Sequence, residues 1–284
     1  MFTLKIENKN NQVLELTNNE SNYQIVNIDG LNPPKADLYT KAIANMDGER
    51  FKSSKLQMRN IVLTIKINGN VEDNRLFLYG YFGSGKWCKI YYKNQNRSVY
   101  IEGYCENIEC DLFTLNQQMQ ISIICPDPYF KSLRALYADI SQILGNFEFP
   151  FAIEKEGIEF SIYNINDIAK IIYSGEIEAG IIIKLTAVNG SVTNPKIYNL
   201  NDNNFILLNI VMNEGDTIII NTNKGHKSVI KISNAVETNI INALDVTSSW
   251  LKMVKGENYY TYDASVNPEN LKIEFESNIL YEGL

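Results

Sequence analysis

Turn-forming residues punctuate the second half of this chain roughly every 8–12 positions, and the segments between them are made of strand formers. Ile and Asn each supply about 13% of the 284 residues. The branched Cβ of Ile packs well on a pleated surface, whereas Asn tolerates left-handed backbone and caps its own turns. A chain with this rhythm folds as many short strands on tight turns. The spacing predicts an antiparallel sandwich over the second half. Its strands are expected at Ile158–Tyr163, Gly180–Val188, Val192–Tyr198, Phe205–Leu208, Thr217–Asn221, Ser228–Ile232, Tyr259–Asp263 and Leu271–Glu276. Asn189-Gly190 between two of them is a hairpin turn signal.

The first half is also strand-rich. Short strands are expected at Thr3–Glu7, Gln12–Leu16 and Tyr23–Ile28, while Pro33-Pro34 forces a loop and Asp47-Gly48 marks a turn. The clearest strand is Ile61–Ile67, where Ile61, Leu63, Ile65 and Ile67 share one face. Asn68-Gly69 ends it. A short helix follows on Val71, Arg75, Leu78, Tyr79 and Phe82, with Asn70 as its cap. Strands resume at Lys86–Tyr92, Ser98–Tyr104 and Gln118–Ile124. Leu133, Leu136, Ile140 and Ile143 then recur at helical spacing, which predicts a connecting helix ended by Gly145. Phe147, Phe149 and Phe151 around Pro150 open the second domain as a strand. The domains are read as 1–145 and 146–284.

Charge divides the chain at the same place. Residues 1–150 hold 16 basic and 16 acidic side chains, and residues 151–284 hold 10 and 17. All five arginines and all four cysteines precede the break. A net charge of -7 argues against a protein that binds nucleic acid through counterion release. Cys88, Cys105, Cys110 and Cys125 form no CxxC pair, and the only histidine is the distant His226, so structural zinc is not expected. The thiols read as reduced, with a Cys105–Cys110 bridge left open. No apolar run approaches the ~18 residues of a membrane helix, and no leader pattern is present, so the chain reads as folded in a cytoplasm.

No constellation of residues carries chemistry. His226 lies in a turn between strands, and no nucleophile elbow occurs. Gly80–Lys86 nearly matches a phosphate loop, but Trp87 replaces the metal-binding hydroxyl, and a helix precedes it where a strand should. Glu154, Glu156 and Glu159 read as a solvated rim, and Tyr259, Tyr260 and Tyr262 as strand aromatics. No catalytic, cofactor or metal residue is therefore assigned.

Several ordered runs nonetheless carry a resemblance. They are Gly30–Ala36, Asp47-Gly48, Ser53-Ser54, Arg59–Leu63, Gly103-Tyr104 and Cys125–Phe130, then Phe147–Phe151, Asn194-Pro195, Gly215–Thr222, Gly225, Lys227–Val229, Trp250 and Tyr281–Leu284. Together they resemble the distal tail proteins (Dit) of long-tailed phages across essentially the whole chain. The resemblance implies a mainly β protein: an N-terminal β-barrel or split-barrel ring domain with a short helix, and a C-terminal galectin-like antiparallel β-sandwich. It implies a non-enzymatic baseplate hub at the virion tail tip, assembled in the host cytoplasm. Six copies would form a ring joining the tail tube protein to the tail-tip protein and to receptor-binding or other baseplate proteins, around a channel for DNA. No cofactor, membrane or specific nucleic-acid partner is implied, and interface residues are not legible. Trp250 would fill the sandwich core. The alternative from another class is a carbohydrate-binding module acting through the sandwich on host cell-wall glycans.

Overall fold

The computed structural model describes residues 2–17, 22–45, 47–114, 116–145, 161–165 and 168–284. The chain divides into two compact units, Met1–Leu133 with Leu280–Leu284, and Arg134–Ile279. Counted on these limits, the first unit holds 15 basic and 15 acidic side chains and the second 11 and 18, so the acidic surplus belongs to the second.

The first unit contains β1 (Thr3–Asn8), β2 (Val13–Glu15), β3 (Tyr23–Asp29), β4 (Ala36–Ala42), β5 (Glu49–Leu56), β6 (Arg59–Ile67), α1 (Val71–Phe82), β7 (Trp87–Lys93), β8 (Ser98–Cys110), β9 (Gln118–Cys125) and β10 (Phe130–Ser132). The second contains β11 (Leu136–Asp139), β12 (Ser141–Gly145), β13 (Ser161–Ile165), β14 (Ile168–Tyr173), β15 (Ala179–Gly180), β16 (Ile182–Ala187), β17 (Val192–Asn199), β18 (Phe205–Leu207), β19 (Val211–Met212) and β20 (Thr217–Asn221). It continues through β21 (Ser228–Ser233), β22 (Val236–Asn239), β23 (Lys252–Met253), β24 (Gly256–Val266) and β25 (Leu271–Ser277). The chain then returns to the first unit as β26 (Leu280–Tyr281).

The main sheet of the first unit runs β2-β1-β7-β8-β9-β6-β3, with β10 joining β8 to β26. Among the described residues β2 and β3 do not pair, so no closed barrel is formed. Alternation fills one face of it. Ile61, Leu63, Ile65 and Ile67 of β6 are buried as the sequence predicts, beside Met119, Ile121 and Ile123 of β9 and Val99 and Ile101 of β8. Each such side chain removed from water is worth roughly 1.5–3 kcal/mol before entropy is counted. Helix α1 lays Leu78, Tyr81 and Phe82 on this core, and the Tyr81 hydroxyl donates to the Ile6 carbonyl at 2.7 Å. Asn70 makes no side-chain cap; its amide donates to Asp73, and its carbonyl accepts from Asn74.

The second unit is an antiparallel sandwich. One sheet runs β11-β25-β16-β20-β21-β22 and the other β14-β24-β17-β18, with β19 on β17. Ile183, Leu185, Ile218, Ile220, Ile273 and Phe275 of the first and Ile171, Ile197, Ile206 and Tyr260 of the second are buried. Tyr260 stacks on Phe275 at 5.1 Å. Trp250 is not part of this core: it is half-buried, with the Lys227 ammonium 5.1 Å from its ring.

The expected helix over 133–143 is absent. Leu136–Asp139 pairs as β11 with the edge of β25, and the Ile140 amide donates to the Ile273 carbonyl. An apolar spacing of three to four residues fits a helix, but in so short a run an available sheet edge decides. The Phe147–Phe151 run lies outside the described residues.

All four thiols are free, so Cys105 and Cys110 are not bridged. Burial pushes the Cys88 and Cys125 thiols up to about 12, and the Cys105 and Cys110 thiols also rise. They therefore stay protonated and unreactive at neutral pH. Titration of the native protein with a thiol reagent should modify the half-buried Cys110 first and the other three only on unfolding. Rapid native modification of several thiols would contradict this.

Candidate assembly interface

His226 is exposed in its turn. The Gly80–Lys86 run spans the last turn of α1 and the turn into β7, and the Lys86 ammonium donates to the Gly80 carbonyl at 2.5 Å, across the helix end. Tyr260 is buried with its hydroxyl on the Lys252 carbonyl, whereas Tyr259 faces outward and donates to Glu257. On the same sheet the Lys196 ammonium sits 4.5 Å from the Tyr198 ring centroid and 3.9 Å from that of Phe205, so each ring already has a cation on one face. Glu154, Glu156 and Glu159 lie outside the described residues. Among the described residues no cluster of His, Cys, Asp and Glu could hold a metal ion, and no helix is long and apolar enough to cross a membrane.

Two features of the first unit point instead to assembly. The first is the hairpin of β4 and β5, which pair with each other and, among the described residues, with no other strand. Asp47-Gly48 turns it, with Gly48 at φ +85°. Cross-strand partners share a face and alternate along each strand. Pairing of Ala36 with Leu56, Leu38 with Ser54, Thr40 with Phe51, and Ala42 with Glu49 therefore builds one largely apolar face, with the Glu49 carboxylate at its turn end. Asp37 with Lys55, Tyr39 with Ser53, and Lys41 with Arg50 builds a polar, mainly basic one. A register shift after Tyr39 keeps Phe51 on the apolar side. Leu38, Tyr39 and Phe51 are 65%, 53% and 58% exposed. A lone hairpin is marginal in water, and an open apolar face on one marks a contact surface.

The second feature lies at the foot of this arm. Arg59 opens β6 and is only 2% exposed. Its guanidinium donates to the carbonyls of Gly30, Asn32 (2.6 Å), Pro128 (2.8 Å) and Glu282, and its plane lies 4.5 Å from the Phe130 ring. A planar fork with five donors suits such a ring of acceptors. Burial lowers the Arg59 pKa from its ordinary value, with Cys125 and Glu282 opposing. Gly30 sits at φ +86°, and a Cβ there would lie 2.0 Å from the Asn60 carbonyl oxygen, so the loop can only be glycine at this point. Around Arg59 four sequence-distant runs meet: Gly30–Ala36, Arg59–Leu63, Cys125–Phe130 and Tyr281–Leu284.

The chain's last residues complete the junction. β26 pairs with β10, matching Phe130 to Tyr281 and Lys131 to Leu280. The Leu284 amide donates to the Leu31 carbonyl at 3.1 Å. Arg97 donates to the Gly283 carbonyl and lies 4.4 Å from the Tyr281 ring. In chain order, the second unit is thus inserted between two paired strands of the first.

Comparison with known proteins agrees with this architecture. Residues 10–125 match the family model described as the phage tail protein RIFT-related domain, and residues 174–278 match the siphovirus-type tail component, C-terminal domain. The crystal structure of the Dit protein of phage SPP1, described as a hub of the adsorption apparatus in phages infecting Gram-positive hosts, superposes with a TM-score of 0.69 at 13% identity, covering 99% of each chain. A chain of the phage P2 baseplate in its activated, calcium-bound conformation gives 0.54 at 13% identity, and the strontium form gives 0.53 at 12%, each covering 98% of both chains. No curated protein sequence matches the chain.

Proposed function

Because the chain belongs to the siphovirus-type tail component family and carries both of its domain types in order, we propose that it is a distal tail hub whose first unit closes into a six-membered ring. The observation that carries this reading is the self-paired arm with an open apolar face, on a fold shared end to end with a hub protein. A ring of more than two copies needs one patch on each copy to meet a different patch on the next. The arm supplies one of the two. The ring joins the tail tube to the tail-tip protein, and the second unit, which bears the whole acidic surplus, meets receptor-binding or other baseplate proteins. The protein acts by assembly and not by catalysis.

The ring leaves a passage for DNA. Arginine placement supports this: Arg59 and Arg97 are engaged with carbonyls, and Arg75 with Glu72 at 2.6 Å and Gln117 at 3.3 Å. The positions of β6 and β9 that face away from the core carry Asn60, Val62, Thr64, Gln118, Gln120, Ser122 and Ile124, with Lys66 the one cation. Such a face offers phosphates little to bind. Negative-stain electron microscopy tests the proposal. Class averages should show six-fold rings with a central opening; single particles in every field at high concentration would overturn it.

A further inference from the structure

The arm has two roots, and both lie at the Arg59 junction. β4 begins at Ala36, just past the Pro33-Pro34 loop, and β5 ends at Leu56, three residues before Arg59. The last rung is the Gln57 amide on the Lys35 carbonyl at 3.2 Å, with the Gln57 side chain on Asp37 at 2.8 Å. Neither strand of the arm pairs with the main sheet. Its direction is therefore set by what holds residues 30–35 and 57–59. The holders are Arg59 itself and the returning tail: Glu282 takes one Arg59 donor, Leu284 bonds Leu31, and Gly283 packs so closely on Pro33 that a Cβ would lie 2.9 Å from its ring. Arg97 fixes that tail from the other side.

We propose that residues 280–284, held by Arg97, form a clamp that aims the arm, so that a copy can join a ring only once this segment has docked. The segment closes the foot of the arm from far along the sequence, Glu282 lying 223 positions after Arg59. Until it docks, the buried Arg59 guanidinium lacks one of its acceptors and the 30–35 loop lacks its outer support. An arm with a loose root samples many directions and meets a neighbour in few of them, which weakens every contact of the ring. Arg59, Arg97, Leu31, Pro33 and residues 280–284 all belong to the first unit, so the folding of the second need not change. The clamp deepens the ring reading and depends on it only for its consequence.

The test compares the full chain, a form lacking 280–284, and the full-length variants Gly283→Val and Arg97→Ala. Two readouts are taken: ring fraction by native mass spectrometry, and amide exchange at 31–42 and 49–57 by mass spectrometry. The truncated form should exchange at least tenfold faster at these amides and lose most of its rings, with exchange in 182–277 unchanged. Gly283→Val and Arg97→Ala should shift both readouts in the same direction while keeping native circular dichroism, which decides the matter if the truncated chain fails to fold. Unchanged exchange around the arm in the folded variants would overturn the clamp. If the full chain itself makes no rings, the ring reading fails, and the exchange data still judge the clamp.

Discussion

Replacing Arg59 by leucine is expected to destabilise the first unit by roughly 4 kcal/mol, lowering its melting temperature by about 10 °C. The guanidinium serves the carbonyls of Gly30, Asn32, Pro128 and Glu282. Leucine leaves these acceptors unpaired in a site where Arg59 is 2% exposed. Each unpaired buried acceptor costs about 1–3 kcal/mol, and entry of water offsets only part of it. Lysine keeps the charge but not the planar fork, so Arg59→Lys should fall between leucine and the parent. Thermal unfolding followed by circular dichroism reads the effect. A loss under about 1 kcal/mol for Arg59→Leu would mean that the junction is not what holds the loops, β10 and the tail together.

The second large effect concerns assembly alone. Leu38→Asp combined with Phe51→Asp should leave stability almost unchanged, because both side chains are mostly exposed in the single chain. Ring formation should collapse. Each contact between copies would then bury carboxylates without partners, costing about 3 kcal/mol or more, which is over a hundredfold per contact. Size-exclusion chromatography with light scattering would separate the two consequences. A ring population equal to the parent's would remove the arm from the interface.

Legibility of this fold followed burial. Strands with one buried face could be read directly: β6 from the alternation of Ile61, Leu63, Ile65 and Ile67, and β20 from Thr217–Asn221. The arm could not be read as strands. Neither of its faces is buried within the chain, so β5 reads ERFKSSKL with no period-two apolar pattern, and only the Asp47-Gly48 turn was visible. Strand β11 was hidden for another reason: its apolar spacing fits a helix, and only the edge of β25, more than 130 residues away, makes it a strand. The junction was half legible. Its runs stood out one by one, but Arg59 binds backbone carbonyls, which leave no side-chain signature to say which loops converge. The one hint was Gly30, whose φ of +86° and tight approach to Asn60 demand that residue type.

Native mass spectrometry of the 284-residue chain addresses the central claim most directly. The account predicts a dominant species of six chains, about 194 kDa from a chain mass of 32.4 kDa, that dissociates in the Leu38→Asp, Phe51→Asp variant. A spectrum holding only the 32.4 kDa chain, at every concentration up to the solubility limit, would contradict it.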